Sequence, residues 1–356
     1  MIFALIPLSF LVFFLRSFNC FHFSTEVLAE GIQVYILDIA ILKRRILMPE
    51  QERRGVIQLQ VDMSCDEKCE QCERFFKCKS PVKLKIFDRR RMARARETMA
   101  RIKYKVAICA GKGGVGKSSV TANLATAFAM RGKKVSILDQ DLDGSCIPRM
   151  MGVLDQKLVM ERKGIKPVEG LLGIQIVAMA NILSEEDTNT WFHELRRNAT
   201  EEFLAHVQYG ERDYLFIDLP PGTSSDAVNM MEYIPDLSGM VVVTVPSAVS
   251  QGVARRAIIM AIEGGVEVMG IIENMSGYVC SKCDKIFYPM LLGGGERLAK
   301  ELDVPFLGRI PLDPNISYST DKGLPFVYTH PESPASKTMQ SIVDYIEQAV
   351  EERGRR

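Results

Sequence analysis

Net charge is almost missing from this sequence: its 356 residues carry a formal +1. Such a chain has no global attraction to nucleic acid or anionic lipid, so any attraction of that kind has to be local. Histidine is scarce, and the four present are scattered and form no ligand cluster. A disulfide framework is lacking as well. The nine cysteines are an odd number and most sit in tight clusters. Without a cleavable secretion signal, clustered C-x-x-C reads as metal binding in a reducing compartment, which predicts a cytoplasmic protein. There is no internal repeat. What remains is an ordinary globular composition, 47% hydrophobic and 25% charged, enough for one large domain with an appendage.

The opening "MIFALIPLSFLVFFL" is shorter than the roughly 20 apolar residues of a membrane-spanning helix. It also lacks the basic start and small-residue cleavage site of a signal peptide. The stretch to Leu47 stays apolar without clear caps, and Met48 then opens the polar "MPEQERRG". Residues 1–47 are therefore expected to come from a start codon placed too early, with a real membrane anchor as the rival reading and a buried helix as the third.

Three further segments follow. Residues 48–80 form a cysteine-rich module, residues 81–104 a basic helical linker, and residues 105–356 the large main domain. In the last, short apolar runs alternate with helical stretches. Strands are expected near "KVAICA", "KVSILD", "IQIVAMA", "YLFIDL", "MVVVTV" and "VEVMGIIEN". Buried strands spaced by helices predict an α/β fold with a mostly parallel twisted sheet flanked by helices. The closing "SPASKTMQSIVDYIEQAVEERG" reads as a last helix packed through Ile342, Val343, Ile346 and Val350.

The strongest local signal is "ICAGKGGVGKSSV", which fits G-x-x-x-x-G-K-[ST] over Gly111–Ser118 between a predicted strand and a predicted helix. Glycines let the backbone turn its N–H groups toward phosphate oxygens, and the helix N-terminus adds partial positive charge. Lys117 can reach the β- and γ-phosphates and Ser118 can ligate Mg²⁺. A second lysine, Lys112, has no evident local task. If the site closes on a twin subunit, Lys112 could reach across to the partner's nucleotide. Asp139 and Asp141 end one predicted strand and Asp218 ends another. In a parallel sheet all three would face the Mg²⁺–phosphate region, where one carboxylate can hold the ion through water and another can orient the attacking water.

These stretches resemble the deviant Walker A ATPases, such as MinD, ParA and the nitrogenase iron protein, through the K-G-G-x-G-K-S run at Lys112–Ser118. Within that group the chain is similar to the Mrp/nucleotide-binding-protein family of iron–sulfur cluster carriers. The likeness is carried by "AGKGGVGKSS", "LDQDLDGSCIPRMMG", "FIDLPPGTSSD", "IIENMSGYVCSKC", "GGGERLAKELDVPFLGRIPLDPNI" and "SPASK". The resemblance implies a homodimeric, ATP-hydrolysing carrier that binds a [4Fe–4S] cluster and passes it to apoproteins. It further implies that Gly111, Lys112, Gly113, Gly114, Val115, Gly116, Lys117, Ser118 and Ser119 hold ATP, with Lys112 acting in trans. By the same likeness Asp141 is the hydrolysis-linked switch aspartate, Asp218 the Walker B residue, and Asn274 an adenine contact.

Cys280 and Cys283, in "GYVCSKCDKIF", are half of the four ligands that soft metals usually take. The resemblance completes the set: each subunit of the dimer lends two thiolates to one shared cluster. Many relatives have C-P-x-C where this chain has Ser281. Many also read G-T-G-D where it reads G-T-S-S-D, so Asp226 is not carried over.

Cys65, Cys69, Cys72 and Cys78 are spaced C-x3-C-x2-C-x5-C, and four thiols within fourteen residues can surround one metal or cluster. The last three match the eukaryotic cytosolic scaffold branch of the family. A second [4Fe–4S] cluster, structural Zn²⁺ and free thiols stay open, because spacing does not separate iron–sulfur from zinc. A radical-SAM reading needs a βα barrel where this chain has the phosphate loop. Cys109 reads as a small buried hydrophobe.

Residues 79–105 carry eleven Lys/Arg against two acids. A solvated connecting helix is the plain reading; docking to an acidic protein, nucleic acid or anionic membrane are the others. Little aromatic interleaving accompanies the charge, so no nucleic-acid partner is expected. A MinD- or ParA-like positioning ATPase would leave the clustered cysteines without a use. An ATP-gated electron donor like the nitrogenase iron protein would leave the N-terminal module without one.

Overall fold

The computed structural model describes residues 82–183, 193–222, 230, 233–234, 236–280, 282–283, 285–288 and 292–353. Residues 1–47 and the cysteine-rich stretch 48–80 lie outside them.

The chain builds an eight-stranded sheet in the order β12-β9-β8-β1-β7-β2-β6-β5. The strands are β1 (Ile102–Ala110), β2 (Val135–Asp139), β5 (Val168–Glu169), β6 (Gln175–Val177), β7 (Arg212–Asp218), β8 (Gly239–Thr244), β9 (Val268–Glu273) and β12 (Phe306–Arg309). Every pairing is parallel except that of β5 with β6. All residues of β2, β8 and β9 are buried, which explains their unbroken Val/Ile/Leu-rich runs. Alternation shows in which face each residue serves. Val106, Ile108 and Ala110 of β1 join one core, while Ala107 and Cys109 join the other.

The first core is closed by α2 (Lys117–Met130) and α9 (Pro334–Arg353), through Leu124 and Phe128 on one and Met339, Ile342, Val343, Ile346 and Val350 on the other. The second is closed by α4 (His193–His206) and α5 (Ala248–Glu263), through Phe203, Leu204, Ala254, Ala257 and Ile258. Further elements are the short helix α3 (Ile147–Met150), hairpin β3 (Val159–Glu161) and β4 (Gly164–Lys166), hairpin β10 (Tyr278–Val279) and β11 (Ile286–Phe287), α6 (Gly294–Glu301), α7 (Pro314–Asp321) and α8 (Phe326–Thr329).

The six expected strands are present. The edge strands β5 and β12 and the two hairpins were not expected. They are short, and β12 is only half-buried, so they lack the continuous apolar run that marks an inner strand.

The basic segment is a helix, α1 (Val82–Met99), and its C-terminal part is packed rather than solvated. Ala95 and Met99 are fully buried in the second core, and Arg91 is buried against α4. Among the described residues no helix is long and apolar enough to cross a membrane.

Candidate functional site

The phosphate loop leaves the C-terminal end of β1 at the centre of the sheet and enters α2 at Lys117. Two of its glycines, Gly114 (φ 77°) and Gly116 (φ 81°), hold left-handed backbone. A Cβ at Gly113 or Gly114 would meet nothing within 4 Å, so backbone amides there can be approached closely by a ligand. On the protein side the loop is pressed tight. A Cβ at Gly111 would overlap the α5 backbone at Val253–Ala254, and one at Gly116 would overlap the Asn274 amide.

Lys117 and Ser118, opening α2, converge on Asp218 at the end of β7. Lys117 Nζ donates to Asp218 Oδ2 at 2.6 Å, and Ser118 Oγ donates to the same oxygen at 2.6 Å. Lys117 and Asp218 are both buried, which makes this a desolvated ion pair. The hydroxyl and carboxylate oxygens are hard ligands that fit Mg²⁺, and the cationic amine beside them fits the phosphate oxygens. The turn after β7 is tied to the loop: Leu219 N–H donates to Ile108 O at 3.0 Å and Gly222 N–H to Ala110 O at 2.8 Å.

Asp141 lies 3.9 Å from Lys117 Nζ and is partly exposed, on the open side of the ion pair. Burial raises its pKa, with Lys117 opposing. Asp139 sits differently. It is the cross-strand partner of Asp218 in the β2–β7 register and is fully buried. Its carboxylate accepts from the Asp141 N–H (3.1 Å), Ser145 Oγ (2.9 Å) and the Ile147 N–H (3.3 Å). Those bonds fold the segment 140–147 back over the strand end. Burial, and then the neighbouring Asp218 charge, push the Asp139 carboxyl up to about 7.

Two residues of α4 hold the same segment. Thr200 Oγ1 donates to Gln140 Oε1 at 2.8 Å in the interior, and Arg196 pairs with Asp143 at 2.7 Å. The Gln140 N–H donates to the Asp218 carbonyl at 2.9 Å. Lys112 is half-exposed and has no ion pair or hydrogen bond among the described residues. Ser119 is also half-buried at the surface of α2.

Asn274 follows β9 directly. Its Nδ2 donates to the Val115 carbonyl at 2.8 Å, so the residue braces the phosphate loop from below. The preceding Glu273 is fully buried and accepts from Ser276 Oγ (2.7 Å) and from the Gly295 N–H (2.6 Å) at the start of α6. The chain then rises into the β10–β11 hairpin that carries Cys280 and Cys283. In its turn the Cys280 N–H donates to Lys285 O (2.9 Å) and the Cys283 N–H to Cys280 O (3.3 Å). Cys283 is exposed and Cys280 half-exposed, and Ile286, Phe287 and Tyr288 beside them are also exposed. The two thiols thus sit in one tight turn at the surface, six residues along the chain from the Asn274 brace.

The structure brings together Lys117, Ser118, Asp141 and Asp218, and puts Asp139 behind them as the residue that folds the adjoining loop. Cys109 is buried in the core, its thiol pushed up to about 12 by burial. Cys65, Cys69, Cys72 and Cys78 lie outside the described residues, as do Ser281 and Asp226. Sequence reasoning missed Thr121, Gln140, Ser145 and Glu273. Thr121 alone carried a local signal, one helical turn beyond Lys117.

A family profile described as the NUBPL iron-transfer P-loop NTPase, of the ParA group, matches residues 101–347. The iron-sulfur cluster carrier protein of Saccharolobus solfataricus is 42% identical over 254 residues, covering 71% of this chain and 86% of that protein. The protein of the same description from Methanocaldococcus jannaschii is 42% identical over 288 residues, covering 81% and 98%. Among solved structures, the nucleotide-binding protein from Archaeoglobus fulgidus in complex with ADP matches with a TM-score of 0.58 and 35% identity. That match covers 65% of this chain and 91% of the other.

Proposed function

The chain belongs to the NUBPL-type iron-transfer P-loop NTPase family, and on that premise we propose that it is an ATP-hydrolysing carrier of [4Fe–4S] clusters. In this reading it works as a homodimer in the cytoplasm, takes a cluster as cargo between the Cys280–Cys283 pairs of two subunits, and delivers it to apoproteins. The observation that supports the reading is a direct tie between the phosphate loop after β1 and the segment after β9 that leads to the cysteines. Asn274 after β9 touches the phosphate loop, and the same segment continues into the cysteine hairpin.

The residues divide the work as follows. Backbone amides of Gly111–Lys117 bind the phosphates, and Lys117 neutralises them. Ser118 and Asp218 would hold Mg²⁺, which supplies charge neutralisation at the β- and γ-phosphates when bound. Asp141, on the open side of Lys117, orients the attacking water. Lys112 reaches the nucleotide of the partner subunit, so that hydrolysis depends on dimer formation. Two-fold symmetry turns each Cys280–Cys283 pair into a four-thiolate set. Because the thiols and the phosphate loop share the segment 274–280, ATP turnover changes how tightly the cargo is held. The N-terminal Cys65, Cys69, Cys72 and Cys78 take a second cluster.

The test is anaerobic reconstitution of the chain from Met48 with iron and sulfide, followed by assay of iron, sulfide, zinc and the visible spectrum. Transfer to an apoprotein is then followed with and without ATP. Cys280→Ala and Cys283→Ala are expected to abolish loading of the shared site and the transfer that depends on it. Stoichiometric zinc with no cluster under every loading condition would refute the reading.

A further inference from the structure

Asp218 is held by more than the two residues of the phosphate motif. Thr121, one turn further along α2, places Oγ1 2.6 Å from Asp218 Oδ1 and 3.0 Å from the Lys117 carbonyl. A hydroxyl has one proton to give. The nearer, charged carboxylate oxygen takes it, since hydrogen bonds to ionised acceptors are shorter and stronger than those to neutral ones. Both Thr121 and Asp218 are completely buried.

The carboxylate is therefore divided between two sets of donors. Oδ2 faces Lys117 and Ser118, and Oδ1 faces Thr121 alone among the described side chains. Lys117 and Ser118 are also the groups with work to do on phosphate and Mg²⁺, so their bonds to Asp218 are the ones that nucleotide competes for. Thr121 lies behind them, away from the loop, with no such second task.

We propose that Thr121 is the positioning residue for Asp218: its hydroxyl fixes Oδ1 and so keeps Oδ2 directed at the magnesium side of the nucleotide site. This rests on the reading of the loop as an ATP–Mg²⁺ site. It assigns to the chain a hydroxyl that lies outside G-x-x-x-x-G-K-[ST].

The test compares Thr121→Val, Thr121→Ser and Thr126→Val in the full chain. Thr126 is the control, since it is a buried threonine of the same helix whose hydroxyl donates only to the Ala122 carbonyl at 2.8 Å. Binding of a fluorescent ATP analogue is titrated by anisotropy without magnesium and again across a range of MgCl₂. For Thr121→Val, affinity without magnesium is expected within about twofold of the parent, while the gain produced by magnesium falls about tenfold, the effect of one charge-assisted hydrogen bond. Thr121→Ser should restore the magnesium response, and Thr126→Val should never lose it. An unchanged magnesium response in Thr121→Val would overturn the proposal, and so would equal losses in Thr121→Val and Thr126→Val. If the valine variant folds poorly, the serine variant decides: a magnesium response lost there, in a folded protein that keeps the hydroxyl, overturns the proposal as well. A parent chain that does not bind the analogue at all would instead overturn the nucleotide site itself.

Discussion

Arg91 of α1 and Glu201 of α4 form a buried ion pair, with Glu201 fully enclosed and Arg91 nearly so. Asn198 Oδ1 accepts from the same guanidinium at 3.1 Å, and Arg197 pairs with Glu201 from the other side at 2.7 Å. A basic helix that composition presents as a solvent-facing charge run is thus fastened to the ATPase domain by one of its own arginines. Its α4 anchor is the helix that also holds Gln140 and Asp143 next to the phosphate site.

Removing one partner of a buried pair costs more than the pair itself contributes, because the remaining charge loses compensation. Glu202, 3.5 Å from Arg91, keeps part of it, so Glu201→Gln is expected to lower stability by up to about 3 kcal/mol. The double variant Arg91→Met, Glu201→Leu should recover most of that loss. Urea unfolding midpoints measure both. Equal destabilisation by the single and double variants would show that packing, not charge, holds α1.

The two left-handed glycines of the phosphate loop should not be equivalent. Alanine at Gly114 meets open space, so it pays only the left-handed backbone cost of about 1–2 kcal/mol. Alanine at Gly116 meets the same strain and also displaces the Asn274 amide from the Val115 carbonyl. Gly116→Ala is expected to be the more destabilising and to weaken ATP binding more. Adding Asn274→Ala to it should relieve part of the stability loss, leaving the backbone strain. Thermal unfolding with and without nucleotide distinguishes these terms.

The difference between what was legible in the residues and what was not follows the range of the contacts. The phosphate loop could be read because its constraint is local: Gly114 and Gly116 need conformations that other residues resist. The six inner strands could be read because burial on both faces demands unbroken apolar runs. The Arg91 anchor could not, because Asn198 and Glu201 lie more than a hundred positions away and nothing near Arg91 reports them. Asp139 and Asp218 looked alike in sequence as aspartates ending strands. Only the fold shows that Ser145 and Ile147 fold back to occupy one of them while Lys117 takes the other.

That division has a pH consequence. The Asp139 carboxyl titrates near 7 in the folded chain against about 4 when unfolded. Between those values the folded state binds the extra proton, so stability declines as pH rises through this window. Asp139→Asn mimics the protonated form and cannot ionise. The parent chain should lose stability relative to this variant as pH is raised from about 5 to about 8, read from urea midpoints without nucleotide. A gap constant across that range would mean that Asp139 is ionised throughout.

The two loop lysines should separate stability from catalysis. Lys117 is the buried cation on Asp218, so Lys117→Ala strands that carboxylate in the interior. A loss of roughly 3 kcal/mol is expected even without nucleotide, together with loss of ATP binding. Lys112 has no comparable contact among the described residues, and Lys112→Ala should change stability by less than about 0.5 kcal/mol. Hydrolysis should nevertheless fall about a hundredfold or more if this lysine neutralises charge on the nucleotide of the other subunit. Mixing resolves which subunit it serves. Lys112→Ala keeps Asp141, proposed above to orient the attacking water, and Asp141→Asn keeps Lys112, so a mixed dimer contains one complete site if the lysine works across the interface. The mixture is then expected to hydrolyse ATP faster than either variant by itself, with a rate that follows the fraction of mixed dimers. A mixture no faster than the average of its parts would place Lys112 in the site of its own chain.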